Sequence, residues 1–193
     1  QPTETTCGQT CLYAVYRYFG DMISFAQIVE EVPQLKNGGT LAVLLANHAL
    51  KRGYKATIYT YNLNVFDPTW FSSGSQKKLA HYIEAQAQVK KGTKIKTASK
   101  AYIDFLKSGG KLVLKDLTPR LLRTLLNKQH PVLTGLSATY LYRSARELSN
   151  ENCDYDTIAG KPAGHFVLLA GYEDKKQIIV ADPALSNPFS ASL

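Results

Sequence analysis

A chain of 193 residues, 45% hydrophobic and 20% charged, has the size and composition of one globular domain, or one domain with an insertion, that buries a core without disulfide or metal staples. No apolar run approaches the ~20 residues that cross a bilayer, so no transmembrane segment is expected. Three cysteines are too few for a disulfide scaffold and include no CxxC pair, and free thiols point to a reducing compartment such as the cytoplasm.

Residues 1–6 are polar and read as a loop. Cys11, Leu12, Val15, Tyr16 and Phe19 recur at intervals of three and four. That spacing predicts a helix from Gly8 that Gly20 stops, with Cys7 at its N-terminal end. Ser24 is placed to cap a short second helix running to Val32, before Pro33. Thr40 is the expected cap of a third helix, whose apolar positions are Leu41, Leu44, Leu45 and His48 and which Gly53 closes. Aromatic and β-branched residues over 54–61 predict a strand. A loop over 62–74 holds Phe66, Trp70 and Phe71, and Ser75 opens a helix to about Val89. Residues 90–96 read as basic and irregular, 98–106 as a helix ending at Ser108-Gly109-Gly110, and 112–114 as a short strand. Thr118-Pro119 is a helix start, a cap followed by proline at the first helical position.

The last third changes character. Residues 132–136, 165–172 and 177–181 are short apolar or β-branched runs, and the polar residues 173–176 between the last two predict a hairpin. Residues 148–164 read as a long loop. Helices first and an antiparallel sheet afterwards predict an α+β fold with segregated parts.

The net charge of +8 is unevenly spread. Residues 77–128 hold thirteen Lys/Arg against three Asp/Glu, a net of +10. This segment reads either as a solvated helical face or as a surface for an anionic partner. No RNP, zinc-finger or glycine-rich phosphate motif narrows that partner to nucleic acid.

Chemistry centres on Cys7. A thiol attacks as thiolate, and a helix N-terminus favours that anion through its unpaired N–H groups and partial positive charge. Gly8 lets a substrate carbonyl approach the backbone closely. Cys7 alone reads first as a small buried hydrophobe, the commonest fate of a free cysteine. A thiol also needs a base. His48 falls on the apolar side of a helix, His81 within the basic helix and His130 before Pro131, whereas His165 opens an apolar strand beside a loop, where a rigid scaffold presents a side chain to a cleft. Antiparallel pairing of 165–172 with 177–181 brings Asp182 near His165, as the group that orients the base. Gln1, six residues before Cys7, is placed to donate its side-chain NH2 to an oxyanion. Cys11 reads as core, and Trp70, Tyr140 and Tyr142 as aromatics able to line a substrate groove. A zinc site built from Cys7, Cys11, Cys153 and a histidine is the metal alternative; it lacks the paired spacing of such sites, and no metal or cofactor is expected.

The segment Gln1-Pro2-Thr3-Glu4-Thr5-Thr6-Cys7-Gly8 resembles the Gln-x5-Cys-Gly opening of the bacteriocin-processing, double-glycine leader peptidases and their stand-alone relatives. Gly164-His165-Phe166-Val167-Leu168-Leu169-Ala170-Gly171-Tyr172 resembles that family's histidine strand, and Val180-Ala181-Asp182-Pro183 its Asp-Pro segment. The resemblance implies a papain-like fold, with an N-terminal helical part packed on a C-terminal antiparallel sheet. It implies one domain over 1–193 with a basic helical insertion at about 62–128. It makes Cys7 the nucleophile, His165 the general base, Asp182 the orienter and Gln1 the oxyanion donor of a cysteine peptidase acting on a peptide or protein. The alternatives are an acyl or peptidyl transferase using the same thioester and a catalytically silent peptide-binding module.

Overall fold

The first helix, α1 (Cys7–Tyr18), forms where the three-and-four spacing places it. Cys11, Leu12 and Tyr16 are buried along one face, and Gly20, at φ +76°, turns the chain after the last turn. The structure, a computed structural model, describes residues 1–3, 5–35, 38–148, 154–174, 177–185 and 187–189. Ser24 caps α2 (Phe25–Glu31) by accepting from the Gln27 N–H at 3.2 Å. Among the described residues, no helix is long and apolar enough to cross a membrane.

The chain divides into two units, one made of Gln1–Thr40 with Arg120–Leu193, the other of Leu41–Pro119. In the first, β3 (Val132–Ser137), β4 (Gly164–Glu173) and β5 (Gln177–Ala181) form an antiparallel sheet in the order β3-β4-β5. Helix α1 packs on the central strand, and α2 packs on α1. Their core holds Leu12, Tyr16, Ile28, Val32 and Val167. This is the expected α+β arrangement, N-terminal helices over a C-terminal antiparallel sheet. Helix α6 (Pro119–Leu126) starts at the expected proline. A five-residue helix, α7 (Ala138–Tyr142), follows β3 directly. Its N-terminal end meets the chain entering β4: the Ala138 N–H donates to the Ala163 carbonyl at 2.9 Å, and the Ala163 N–H donates to Thr139 Oγ1 at 3.0 Å. The sequence reading placed no helix here, because five residues are too few to show a period.

The second unit contains α3 (Ala42–Lys51), β1 (Thr57–Thr60), a 3₁₀ turn at Pro68–Phe71, α4 (Gln76–Val89), α5 (Thr93–Lys107) and β2 (Lys111–Leu114). Strands β1 and β2 pair in parallel, Thr57 with Lys111 through Thr60 with Leu114, which requires the long crossover that α4 and α5 supply. Val43, Phe66, Leu79, Ile83, Phe105 and Leu112 form its core. Three expectations are corrected here. Thr40 does not cap α3: its hydroxyl donates to the Pro33 carbonyl at 2.9 Å, and Leu41 takes the cap position with no side-chain bond. Helix α5 begins at Thr93, five residues before the expected start, because Ile95 packs on the core while Lys94 and Lys96 stay outside. Phe66, expected in a loop, is buried in the core, with Tyr102 edge-on at 4.8 Å between ring centres. Charge follows the same division. Leu41–Pro119 carries thirteen Lys/Arg and four Asp/Glu, a net of +9, and the remainder ten and eleven, a net of −1.

Candidate active site

Cys7 is the first residue of α1, so its N–H and those of Gly8 and Gln9 have no helical carbonyl to donate to. A hydroxyl cap would occupy this end. Thr6 stands at the cap position, but its Oγ1 donates to the Thr3 carbonyl at 2.9 Å, and no side chain caps the first turn. The positive end of the helix is therefore open beside a buried sulfur.

His165 is the second residue of β4 and is buried. Its Nε2 lies 2.8 Å from Asp182 Oδ1, and its ring is close enough to the Cys7 sulfur for each to shift the other's titration. With Nε2 held by the carboxylate, Nδ1 is the nitrogen left for the thiol. Asp182 follows β5 directly. Its Oδ1 also accepts the Ala184 N–H at 2.9 Å, and its Oδ2 accepts the Tyr142 hydroxyl at 2.6 Å. Three donors thus converge on one carboxylate.

The β4–β5 register decides which face Asp182 occupies. The hairpin pairs Glu173 with Gln177, Tyr172 with Ile178 and Gly171 with Ile179. Continued without a shift, that count would set Asp182 opposite Leu168, whose side chain points to the face away from His165. A bulge at Ala170 shifts the pairing to Leu169–Val180 and Leu168–Ala181. Asp182 then comes opposite Val167, which shares a face with His165, and reaches the imidazole on the diagonal.

The titration directions follow from these contacts. Burial alone would raise the Cys7 thiol. The His165 hydrogen bond and charge, with backbone bonds from Phe166 and Gly8, outweigh it and hold the thiol below its ordinary value. Burial alone would lower His165, but its hydrogen bonds to Cys7 and Asp182 and their charges raise it. Burial alone would raise Asp182, but the bonds from Tyr142, His165 and Ala184 and the imidazolium charge lower it. All three shifts favour a thiolate, an imidazolium and a carboxylate in a row.

Cys11, one turn along α1, behaves differently. Its S–H donates to the Phe166 carbonyl at 3.3 Å, and burial, followed by the Cys7 and Asp182 charges, pushes its pKa up to about 12. It stays a thiol. Gln1 lies against the same corner: its main-chain nitrogen donates to the Pro183 carbonyl, next to Asp182, and its side-chain Oε1 is buried with no hydrogen-bond partner.

Of the residues singled out in the sequence, Cys7, His165 and Asp182 meet side chain to side chain, and Gln1 is tied by its backbone to the residue after Asp182. Trp70 stacks on Tyr82 at 5.4 Å, and Tyr140 is exposed with the Arg143 guanidinium 4.4 Å above its ring. His48 is buried on α3. Tyr142 was read only as a groove aromatic; nothing in its sequence surroundings signals a bond to Asp182 across 40 residues. Among the described residues no group of three or more His, Cys, Asp or Glu could hold a metal, and Cys153 lies outside the described residues.

The model of the Peptidase_C39 like family matches residues 1–189. No curated protein and no solved structure matches the chain.

Proposed function

The chain belongs to the Peptidase_C39 like family and is a cysteine-type peptidase, and we propose that it cleaves a peptide or amide bond through a Cys7-His165-Asp182 triad on a papain-like scaffold. The Cys7 thiolate attacks the carbonyl carbon, a C–S bond forms, and the carbonyl π pair moves onto oxygen. The Cys7 N–H and the Gln1 amide donate to that oxyanion. The buried, unclaimed end of the Gln1 side chain supports this role, since a half-turn of the amide puts its NH2 there. The His165 imidazolium gives its proton to the departing amine as the C–N bond breaks, leaving a thioester. His165 then takes a proton from water, the hydroxide adds to the thioester, and the thiolate leaves. Asp182 keeps the Nε2 proton in place throughout. What supports the reading is the row of sulfur, imidazole and carboxylate, in which His165 Nε2 is hydrogen-bonded to Asp182 at 2.8 Å and the imidazole lowers the Cys7 thiol. The free Cys7 and Cys11 thiols fit a reducing cytoplasm.

The test is a mass-spectrometric screen of a mixed peptide library with the wild-type protein and with Cys7→Ala and His165→Ala. New termini made by the wild type alone support the reading, as does a peptidyl adduct on Cys7. Equal cleavage by Cys7→Ala, or no cleavage and no adduct, would end it.

We infer further that Leu41–Pro119 offers a surface to an anionic partner. The support is its net charge of +9 together with the absence, among the described residues, of any ion pair made by its lysines. Fluorescence anisotropy with a labelled polyglutamate peptide, a labelled single-stranded oligonucleotide and anionic vesicles checks this. Binding to any one of them that high salt removes supports the inference, and binding to none defeats it.

A further inference from the structure

Asp182 is held from two sides, and only one of them was legible in the triad. On Oδ1 it takes the His165 Nε2–H and the Ala184 N–H; on Oδ2 it takes the Tyr142 hydroxyl at 2.6 Å. The Tyr142 ring also stands beside the imidazole, 5.9 Å between centres at a tilt of 53°. The fold gives this tyrosine a rigid seat. Ser137, the last residue of β3, caps α7 by accepting the Tyr140 N–H at 3.3 Å, and Arg143 closes the helix in the left-handed region at φ +56°. The two bonds between α7 and Ala163 tie the same helix to the chain two residues before His165. The tyrosine and the imidazole are thereby referred to one stretch of backbone.

We propose that Tyr142 is a positioning residue for the triad: its hydroxyl fixes the Asp182 carboxylate in its ionised form, with Oδ1 aimed at His165, so that the imidazolium keeps its partner toward acid pH. The inference rests on the triad reading above. A carboxylate attached only through Oδ1 can turn about its χ2 torsion, because nothing else holds Oδ2. A phenol at 2.6 Å removes that freedom and favours the anion over the acid. Among the described residues, the ionisable groups that act on Asp182 are His165 from β4 and Tyr142 from α7, and Cys11 from α1 feels its charge; the Ala184 N–H donates to its carboxylate, and the Gln1 main-chain nitrogen to Pro183 beside it. Tyr142 can be altered without touching the Cys7 sulfur, the imidazole or the carboxylate.

The experiment follows the rate of iodoacetamide alkylation of Cys7 against pH, read by mass spectrometry of the Cys7 peptide, so that no substrate need be known. Five proteins are compared: wild type, Tyr142→Phe, Asp182→Asn, the double variant Tyr142→Phe/Asp182→Asn, and His165→Ala, each checked by its melting temperature. In Tyr142→Phe the acid limb of the profile falls about three- to tenfold, while the plateau above it changes less than about twofold. In the Asp182→Asn background the same change leaves the acid limb where it was, since no carboxylate remains to titrate. An unshifted acid limb in Tyr142→Phe, or an equal loss in both backgrounds at every pH, makes Tyr142 a packing residue and overturns the proposal. Alkylation of Cys7 in His165→Ala at the wild-type rate and pH dependence overturns the triad reading as well; a wild-type-like profile in Tyr142→Phe alone overturns only the role of the tyrosine.

Discussion

Replacing Asp182 by asparagine and by alanine should have very different consequences, and the hydrogen bonds say why. In Asp182→Asn the side-chain oxygen is drawn to the Oδ1 position, because the Ala184 N–H at 2.9 Å and the His165 Nε2–H at 2.8 Å both need an acceptor there. The amide NH2 then faces Tyr142, whose hydroxyl can turn and accept. Every partner is kept, the imidazole tautomer is unchanged, and only the charge is lost. A hydrogen bond to a charged group is worth about 1.5–3 kcal/mol and a neutral one about 0.5–1.5. The difference of about 1–1.5 kcal/mol predicts a loss of roughly five- to tenfold in kcat/KM. The Asp182 side chain is 11% exposed, so solvent screening changes this little. Asp182→Ala instead strands three donors and frees the ring of His165, which predicts a loss of about 10³ or more. It should also lower stability by about 1–3 kcal/mol for each stranded donor that water cannot reach. The assay is peptide hydrolysis where a substrate has been found, and the pH profile of Cys7 alkylation in any case, with urea unfolding for stability. An asparagine variant as inactive as the alanine variant would refute the reasoning. It would mean that the amide turns its nitrogen to the imidazole, an arrangement that costs about 10⁴ in a serine triad, or that the charge itself is indispensable.

Cys7→Ala and His165→Ala should each lower hydrolysis by at least about 10³ with the circular-dichroism spectrum unchanged, and the double variant should be no worse than either single one, since the pair acts as a unit. Hydrolysis should be bell-shaped in pH, bounded below by the lowered Cys7 thiol and above by the raised His165 imidazolium; a maximum confined to pH values above the ordinary thiol range would contradict it. For stability the signs are opposite at the two ends. The lowered Asp182 contributes fully above the ordinary carboxylate range and is lost as pH falls through its folded value, and the raised His165 contributes below the ordinary imidazole range and is lost as pH rises through its folded value. Urea unfolding across pH should therefore show an acid-side loss of stability that is smaller in Asp182→Ala. In the second unit, Gly110→Ala puts a methyl group into the ring of Phe105, a buried core residue, and should cost about 1–3 kcal/mol by melting temperature, with no change in Cys7 alkylation.

The residue pattern was most informative where local rules act alone. The spacing of Cys11, Leu12 and Tyr16 sets a helix whose first residue is Cys7, and the serine caps at Ser24 and Ser75 act as their residue type dictates. The hairpin of β4 and β5 was legible from two apolar runs around a polar break. Where local signals compete, they misled. Thr40 has a hydroxyl suited to capping, yet a carbonyl at Pro33, brought close by folding, takes it. Residues 93–96 look irregular because lysines dilute the apolar pattern, and only a core waiting for Ile95 makes them helical.

The types and order of the proposed reacting groups were therefore written in the chain itself: a thiol at a helix start, a histidine opening a strand, an aspartate closing the next one. Their meeting was not. It depends on a single extra residue at Ala170, which shifts the β-ladder by one and turns Asp182 from the far face of the sheet to the face of His165. It depends equally on Tyr142, brought onto the carboxylate from 40 residues away. Side-chain direction in a strand alternates with every residue, so register decides chemistry, and register is settled by pairing across the sheet, where sequence spacing has no say.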